Sequence, residues 1–484
     1  MTPRVARLGV LLPWVPLVLV AACGDVLSQP IGAAAGDAGL AGDATSDDSS
    51  ATRVDGAMGD GAAPDAAGDA ASFCSGHGPV LPGTDLCAGD LANLFRFAAC
   101  ACASLDVSGV LTTDSLDSAS DGGATQLASI AANQSLSTNS ITTIGGSVWV
   151  GGAGVAPGSP ALRLSGASAS TIAHDVQAGG PIEIGGPYGV AGDVWANGNV
   201  TVDPTGSLQV GGTVHVPSGD TAAGVMAAGG IANPATVTVP APCECSKPIP
   251  IAKIVSGFVT TNDDATINLT ATALDNPAAP LALPCGLYYV DGIHGGAVTL
   301  DIQGRVALFV GGDLAVDGGI AIDLAQDAEL DLFIAGNVSI KGPSGSVVIG
   351  DPGRPARTRI YVGGMGGDAG GGFALATDAS ISANIYAPSA VVELASSFAL
   401  WGAILAQTLQ FSGSFAIHYD TAVLQVSRSS GCQAPGASCT SCADCSGAAP
   451  ACRSGACGPC VTTTDCCAPL TCSTGTGRCE LPTQ

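Results

Sequence analysis

Four aspartates, Asp301, Asp313, Asp323 and Asp331, fall on the most strand-like stretch of this 484-residue chain. Carboxylates gathered on one sheet face are what glycoside cleavage needs, one as acid and the other as base or nucleophile. An elimination on an acidic sugar would also want Lys or Arg beside them, and Lys247, Lys253 and Lys341 are sparse. Alternate positions of a half-buried strand must face water, where Asp is ordinary. Arg354, Arg357 and Arg359 could grip an anion, but pairing with Asp351 and neighbouring loops is the simpler use. His77, His174, His215, His294 and His418 are scattered without a ligand spacing, which supports neither a metal site nor a Ser-His-Asp site. Gly311-Gly312-Asp313 and Gly318-Gly319 do not keep the register of a Gly-Gly-x-Gly-x-Asp calcium repeat. On this reading the chain has no catalytic residue, no cofactor and no metal.

Cysteine carries the remaining chemistry. Arg4 and Arg7, the apolar run from Leu8 to Val20 and the small residues Val20-Ala21-Ala22-Cys23 read as an export signal. Cys23 after such a site resembles the lipobox of bacterial lipoproteins. The resemblance implies lipidation of Cys23 once residues 1–22 are removed. Gly24, where Asp would favour inner-membrane retention, points to an outer membrane lipoprotein, on the periplasmic face or the cell surface. The other 18 of 19 cysteines suit an oxidised, exported protein. Cys74, Cys87, Cys100 and Cys102 flank a short entry segment, and Cys243, Cys245 and Cys285 lie mid-chain. Cys432, Cys439, Cys442, Cys445, Cys452, Cys457, Cys460, Cys466, Cys467, Cys472 and Cys479 crowd the end. The Cys-x2-Cys pairs at 442/445 and 457/460 have zinc-like spacing. The adjacent Cys466-Cys467, the lack of histidine after His418 and the export signal favour disulfides throughout. A bridge from Cys285 to Cys243 or Cys245 is expected. Eleven cysteines in the tail and seven upstream are both odd, so Cys432 is expected to pair back into the body.

Formal charge is −25, from 40 acidic and 15 basic residues. Nucleic acid and anionic lipid faces need clustered Lys and Arg, so neither is expected as a partner. From Gly24 to Ser72 the chain is Ala, Gly, Asp, Ser and Pro, with nine aspartates and only Arg53 opposing them. Such a segment cannot bury enough apolar surface to order itself. It reads as a disordered tether spanning roughly 40 Å or more. After residue 22 no stretch is long and apolar enough to cross a bilayer.

Short β-branched runs ending in Gly-Gly or a near relative recur along the middle of the chain, as at Val150-Gly151-Gly152, Ile184-Gly185-Gly186, Val310-Gly311-Gly312 and Val362-Gly363-Gly364. A few strand residues and a turn, repeated, wind coils instead of closing one globular core. Ala178, Ile184, Val190, Ala196 and Val202 stand six apart, one face of a three-sided coil of about 18 residues. Leu308–Gly312, Leu332–Gly336, Ile360–Gly364, Asn384–Pro388 and Ala403–Gln407 align at steps of 24, 28, 24 and 19. An aromatic content of 4% suits narrow coils filled by Val, Ile, Ala and Leu. A dozen coils would stack to about 60 Å.

The expected fold is all-β: a parallel, right-handed β-helix with a disulfide-rich C-terminal module and a disordered N-terminal linker. Its parts are a signal peptide (1–22), a tether (23–72), a capping segment (73–104), a first β-helix region (105–242), an irregular insertion (243–286), a second β-helix region (287–431) and a cysteine-rich module (432–484). Asp90 and the apolar pattern Leu91 to Ala99 predict a capped helix covering the first open coil. Ile249 to Pro280 loses the glycine rhythm and predicts a helix or an irregular flap.

Leu111-Thr-Thr-Asp-Ser-Leu-Asp-Ser, Leu283-Pro-Cys-Gly-Leu-Tyr-Tyr, Glu329-Leu-Asp-Leu-Phe-Ile-Ala-Gly-Asn, Pro355-Ala-Arg-Thr-Arg-Ile-Tyr-Val-Gly-Gly and Ile417-His-Tyr-Asp mark the block from Cys74 to Val426. That block resembles an uncharacterised domain of predicted myxobacterial lipoproteins, whose tails carry a similar Asp-Cys-Cys step. The resemblance implies a right-handed β-helix on the surface or in the periplasm, and no established activity. Asn199-x-Thr, Asn268-x-Thr and Asn337-x-Ser match a glycosylation pattern of little meaning in a bacterial chain. The expected function is a lipid-anchored structural or adhesive protein, held to the membrane by its lipid, with envelope polysaccharide or another surface protein as partner. The alternative is a polysaccharide-binding or polysaccharide-degrading β-helix.

Overall fold

Three-residue strands with two inward side chains and one outward account for much of the structure. Val176–Ala178, Ile182–Ile184 and Val194–Ala196 each bury their end residues and half-expose the middle one. Turns between them stack directly on turns of the next coil. A methyl group at Gly179 would overlap the Gly151 carbonyl, so close stacking selects glycine there. The computed structural model describes residues 73–80, 94–120 and 128–424, apart from 157, 344 and 365–371. Of the tail it describes residues 439, 445, 451–462, 465–466, 471–473, 475 and 477–480. The signal, Cys23, the tether, Cys87, Cys432, Cys442, Cys467 and the first part of the expected helix lie outside these residues.

The fold is a parallel β-helix with strands on three faces: Val176–Ala178 and Arg305–Val310 lie on the first, Ile182–Ile184 and Leu314–Val316 on the second, Pro187–Val190 and Val298–Ile302 on the third. Ala178, Ile184, Val190, Ala196 and Val202 are the last residues of five successive strands. Val176 pairs with Val194 and Ile182 with Val200, one 18-residue coil apart, as the six-residue step predicts. In the second region Leu308 pairs with Leu332, Leu332 with Ile360, Ile360 with Ile385 and Ile385 with Ile404. The third step is therefore 25, not 24. Alternation decides it, because a slip of one would turn Ile385 outward and Asn384 into the core.

The order of coils departs from the order of the chain. In the third sheet Val110–Leu116 pairs with Thr142–Ile144 on one side and with Ser414–Asp420 on the other. Ala99–Ala101 likewise lies between Ile130–Ala132 and Ile404–Phe411. The chain thus enters in the middle of one continuous stack. Residues 99–232 build one half away from that entry. A return segment, 233–280, carries the chain to the far end, and residues 281–420 build the other half back to the first coil. The third sheet alone runs through 13 strands from Val225–Ala227 to Leu281–Leu283.

One expectation changes with this order. Residues 94–104 do not cap an open coil: Phe95 to Ala98 are turn and bend, and Ala99–Ala101 is a strand inside the stack. The insertion at 243–286 carries a helix, one of the two forms expected for Ile249 to Pro280. Its helix Ile251–Gly257 buries Ile251, Ile254 and Val255 against the Glu329–Ile334 strand. Its C-cap Phe258 heads a ladder of outward rings on the first face: Phe258, Phe309, Phe333 and Tyr361 stack at centroid distances of 4.0, 5.2 and 4.5 Å. Tyr386 extends the ladder edge-on and accepts the Ile249 N–H.

Residues 262–276 then cover two faces of the far end. Asp263 and Asp264 accept the N–H groups of Leu287 and Tyr289 at 2.8 and 3.0 Å. Ala271 and Leu274 accept those of Asp291 and His294.

Disulfides pin the crossings. Cys100–Cys243 and Cys102–Cys245 join the return segment to the first coil, and Cys74–Cys285 joins an N-terminal strap, residues 73–80, to the far end. The expected Cys285 bridge to Cys243 or Cys245 is therefore wrong, because the first coil lies beneath that segment and takes both sulfurs. In the tail Cys439–Cys452, Cys445–Cys457, Cys460–Cys472 and Cys466–Cys479 form two crossed pairs of matching separation, each with a two-stranded hairpin. Sulfurs so engaged cannot serve zinc as thiolates.

Candidate functional sites

The four aspartates do not gather. Asp301 and Asp323 are register neighbours on the third sheet, exposed and side by side. Asp313 sits in a turn and accepts the Asn337 N–H at 2.7 Å. Asp331 lies on the first face and is 0% exposed, contrary to the expectation that it faces water. No pair of carboxylates flanks a groove among these four. The arginines separate too. Arg354 pairs with Asp351 at 2.7 Å, as expected, and Arg357 reaches the Gln326 carbonyl and Asp327. Arg359 turns away from Asp351 into the buried cluster around Asp331.

That cluster is the most elaborate polar assembly among the described residues. Neighbouring strands Arg305–Val310, Glu329–Ile334 and Thr358–Val362 place Arg305 beside Glu329, and Asp331 beside Arg359, on outward positions. Arg359 Nε and Nη2 donate to the two oxygens of Asp331 at 2.7 and 3.0 Å, Nη2 also to Glu329 at 2.8 Å, and Nη1 to the Ala356 carbonyl. The N-terminal strap closes over it. Gly78 N–H donates to Glu329 and Val80 N–H to Asp331. Arg305 donates to the carbonyls of Phe73 and Gly78 while its guanidinium lies 4.6 Å from the centre of the Phe73 ring. His77 Nδ1 approaches Glu329 at 3.5 Å.

Burial alone would raise the Glu329 carboxyl, but Arg359 and the Gly78 amide outweigh it and hold the group below its ordinary range. Burial pushes the Asp331 carboxyl up, and Arg359 offsets this only in part. The arrangement fastens one segment of the chain onto another. Its hydrogen bonds run within the cluster and to the backbone of residues 73–80, and Arg305 Nε alone of its guanidinium nitrogens is buried without a partner.

A second cluster marks the joint between first and last coils. Asp114 and His418 are register partners, Nδ1 to Oδ1 2.7 Å, with Trp401 stacked on the imidazole at 4.0 Å. Sequence reasoning missed this pair because 304 residues separate its members. Trp401 occupies the next rung, and Ser382 the one beyond. At about 4.8 Å per rung Ser382 is too distant to pass a proton to His418. Beside the pair, buried Asp420 accepts from the Ser118 amide, the Ser118 hydroxyl and the Ala422 amide, and Tyr419 donates to the Phe95 carbonyl. An open, shallow groove on the same sheet is lined by Val110, Thr112, Val348, Ser380, Ala399 and Ala416.

Each sequence block quoted for the family resemblance lies at one of these fastenings. Residues 111–118 and 417–420 pair across the joint. Residues 283–289 hold Cys285, and 329–337 and 355–364 hold the buried ion cluster. Among known proteins, no curated protein and no solved structure matches this chain. Residues 249–426 match the model of a family described as a domain of unknown function, DUF7305. That match covers the return helix and the half of the stack that ends at the joint, a shorter reach than the Cys74 to Val426 block.

Proposed function

We propose that this chain is an exported, lipid-anchored scaffold of the cell envelope, non-catalytic, whose stacked coils present flat sheet faces and a disulfide-rich tail. The observation that carries the reading is where its strong ionic chemistry goes. Glu329, Asp331, Arg305 and Arg359 bond to one another and to the N-terminal strap, and Glu329, Asp331 and Arg359 are buried. Seven disulfides among the described residues indicate an oxidising extracellular or envelope environment. Among those residues no helix is long and apolar enough to cross a membrane. Attachment would rest on acylated Cys23, since two or more chains hold stably where one is marginal.

Fractionation tests the anchor. The native chain should sediment with membranes and resist high salt, whereas Cys23→Ser should appear in the soluble exported fraction. Unchanged partitioning of Cys23→Ser would contradict the reading. So would turnover on a polysaccharide panel that is lost on Asp301→Asn or Asp323→Asn.

A further inference from the structure

We infer that the end of the stack formed by residues 221–232 is a self-association surface, and that its partner is the same end of a second copy of this chain. All three faces stop there together. Ala222–Ala223 pairs with Val200–Val202, Val225–Ala227 with Ser207–Val210, and Ile231–Ala232 with Val214–His215. Among the described residues no strand pairs with their outer edges. The inward residues Ala222, Val225 and Ala227 are only partly covered, Ile231 is 48% exposed and outward Met226 is 56% exposed.

Open strand edges normally carry charge, proline or a bulge that rejects another strand. Thr-Ala-Ala-Gly-Val-Met-Ala-Ala-Gly-Gly-Ile-Ala, residues 221–232, contains no charge and no proline. The opposite end differs, because residues 262–276 satisfy amides on two of its three faces, those of Gly286–Val290 and Ile293–Gly295.

The occupant follows from outline and charge. Three edges must be met at once, in a triangle, about one strand spacing above the last coil. An extended peptide meets one edge; another β-helix end meets all three. This chain has two ends, and two of the three edges at the other are already taken by residues 262–276, so the free match is the same end of a second copy. A two-fold axis would bring the strands together antiparallel and stop association at two. Each copy carries −25, and residues 221–232 are uncharged, so approach there costs least. The acidic tether is a poor occupant, since its nine aspartates would be buried unpaired.

With so few edge residues the contact falls below the usual size of a stable interface, so a micromolar dissociation constant is expected. Sedimentation velocity on the full chain carrying Cys23→Ser, from about 1 to 100 µM, reads it. The expected result is a reversible monomer–dimer equilibrium. Met226→Lys with Ala223→Lys, both on exposed outward positions, should weaken it at least about tenfold. Thr143→Lys, exposed in the body of the stack, should leave it unchanged. In the unsubstituted chain, amide exchange within 222–232 should slow as concentration rises, a readout needing no edge variant. A monomer throughout the range, a dimer indifferent to the edge lysines, growth beyond two copies, or exchange independent of concentration would each overturn the proposal.

Discussion

Replacing Arg359 with methionine removes the one cation that bonds to both buried carboxylates while keeping much of the side-chain volume. Asp331, 0% exposed, then keeps only the Val80 amide at 3.3 Å and the Tyr361 hydroxyl at 3.4 Å. Glu329 keeps the Gly78 amide and its approach to His77. Breaking a buried pair from one side costs about 3–5 kcal/mol, because a charge is left without its partner. The Cys74–Cys285 bridge still holds the strap covalently, so the loss should appear as local opening. An opening made about 3 kcal/mol easier speeds amide exchange roughly 150-fold at Gly78, Val80 and the 329–334 strand. The sign with pH is set by the carboxylates. In the native protein Glu329 is held low, so its contribution is present at neutral pH and lost as pH falls through its depressed value. In Arg359→Met both carboxylates would bind protons more tightly folded than unfolded, so acid relieves the variant. The gap between the two should therefore narrow toward about pH 5. Adding Glu329→Gln and Asp331→Asn should restore most of the protection, since the stranded charges are gone. Native-state exchange read by mass spectrometry decides the matter. Protection within about threefold of the native protein, or a triple variant no better than the single one, would refute the reasoning.

Two further outcomes follow from the same packing. Burial pushes Tyr288 and Tyr386 up to about 12 and raises Tyr361 and Tyr419 as well. Their folded values exceed the unfolded value of about 10, so the stability they contribute is complete below that pH and is lost as pH rises through 12. A spectrophotometric titration of the folded protein should leave these four of six tyrosines protonated at about pH 10.5, and joint ionisation near 10 would contradict it. Pulling the chain by its termini should bypass residues 75–284, because Cys74–Cys285 closes that loop of sequence separation 211. Reduction should add about 750 Å of contour length from this loop on top of the tail bridges' release, and a gain from residues 75–284 of only about 500 Å, what Cys100–Cys243 alone would hide, would exclude the bridge.

The coil was legible where its period was plain. Ala178 to Val202 repeat every six residues, and each lands at a strand end. The joint was not legible, because parallel stacking leaves no local mark and Asp114 meets His418 across most of the chain. Asp331 was misread through alternation. Leu330-Asp331-Leu332-Phe333-Ile334 looks half-exposed, yet all six residues of its strand are buried. A signal was available in the outward aromatics of Leu308-Phe309-Val310, Leu332-Phe333-Ile334 and Ile360-Tyr361-Val362. Strands apolar on both sides are covered on both sides. That pattern could have identified residues 249–258 as a cover. Cys285 was paired by proximity in sequence, whereas the strap that reaches it comes from the other side of the first half.

The claim on which the rest stands is that the last coil lies on the first. Thr112 and Ala416 are register partners pointing outward across that joint, and Thr112 and Thr143 are partners within the first half. Oxidised chains carrying Thr112→Cys with Ala416→Cys, and Thr112→Cys with Thr143→Cys, should both yield the corresponding cross-linked peptides in a non-reducing digest. Cross-linking of the second pair without the first would separate the two halves and contradict the account.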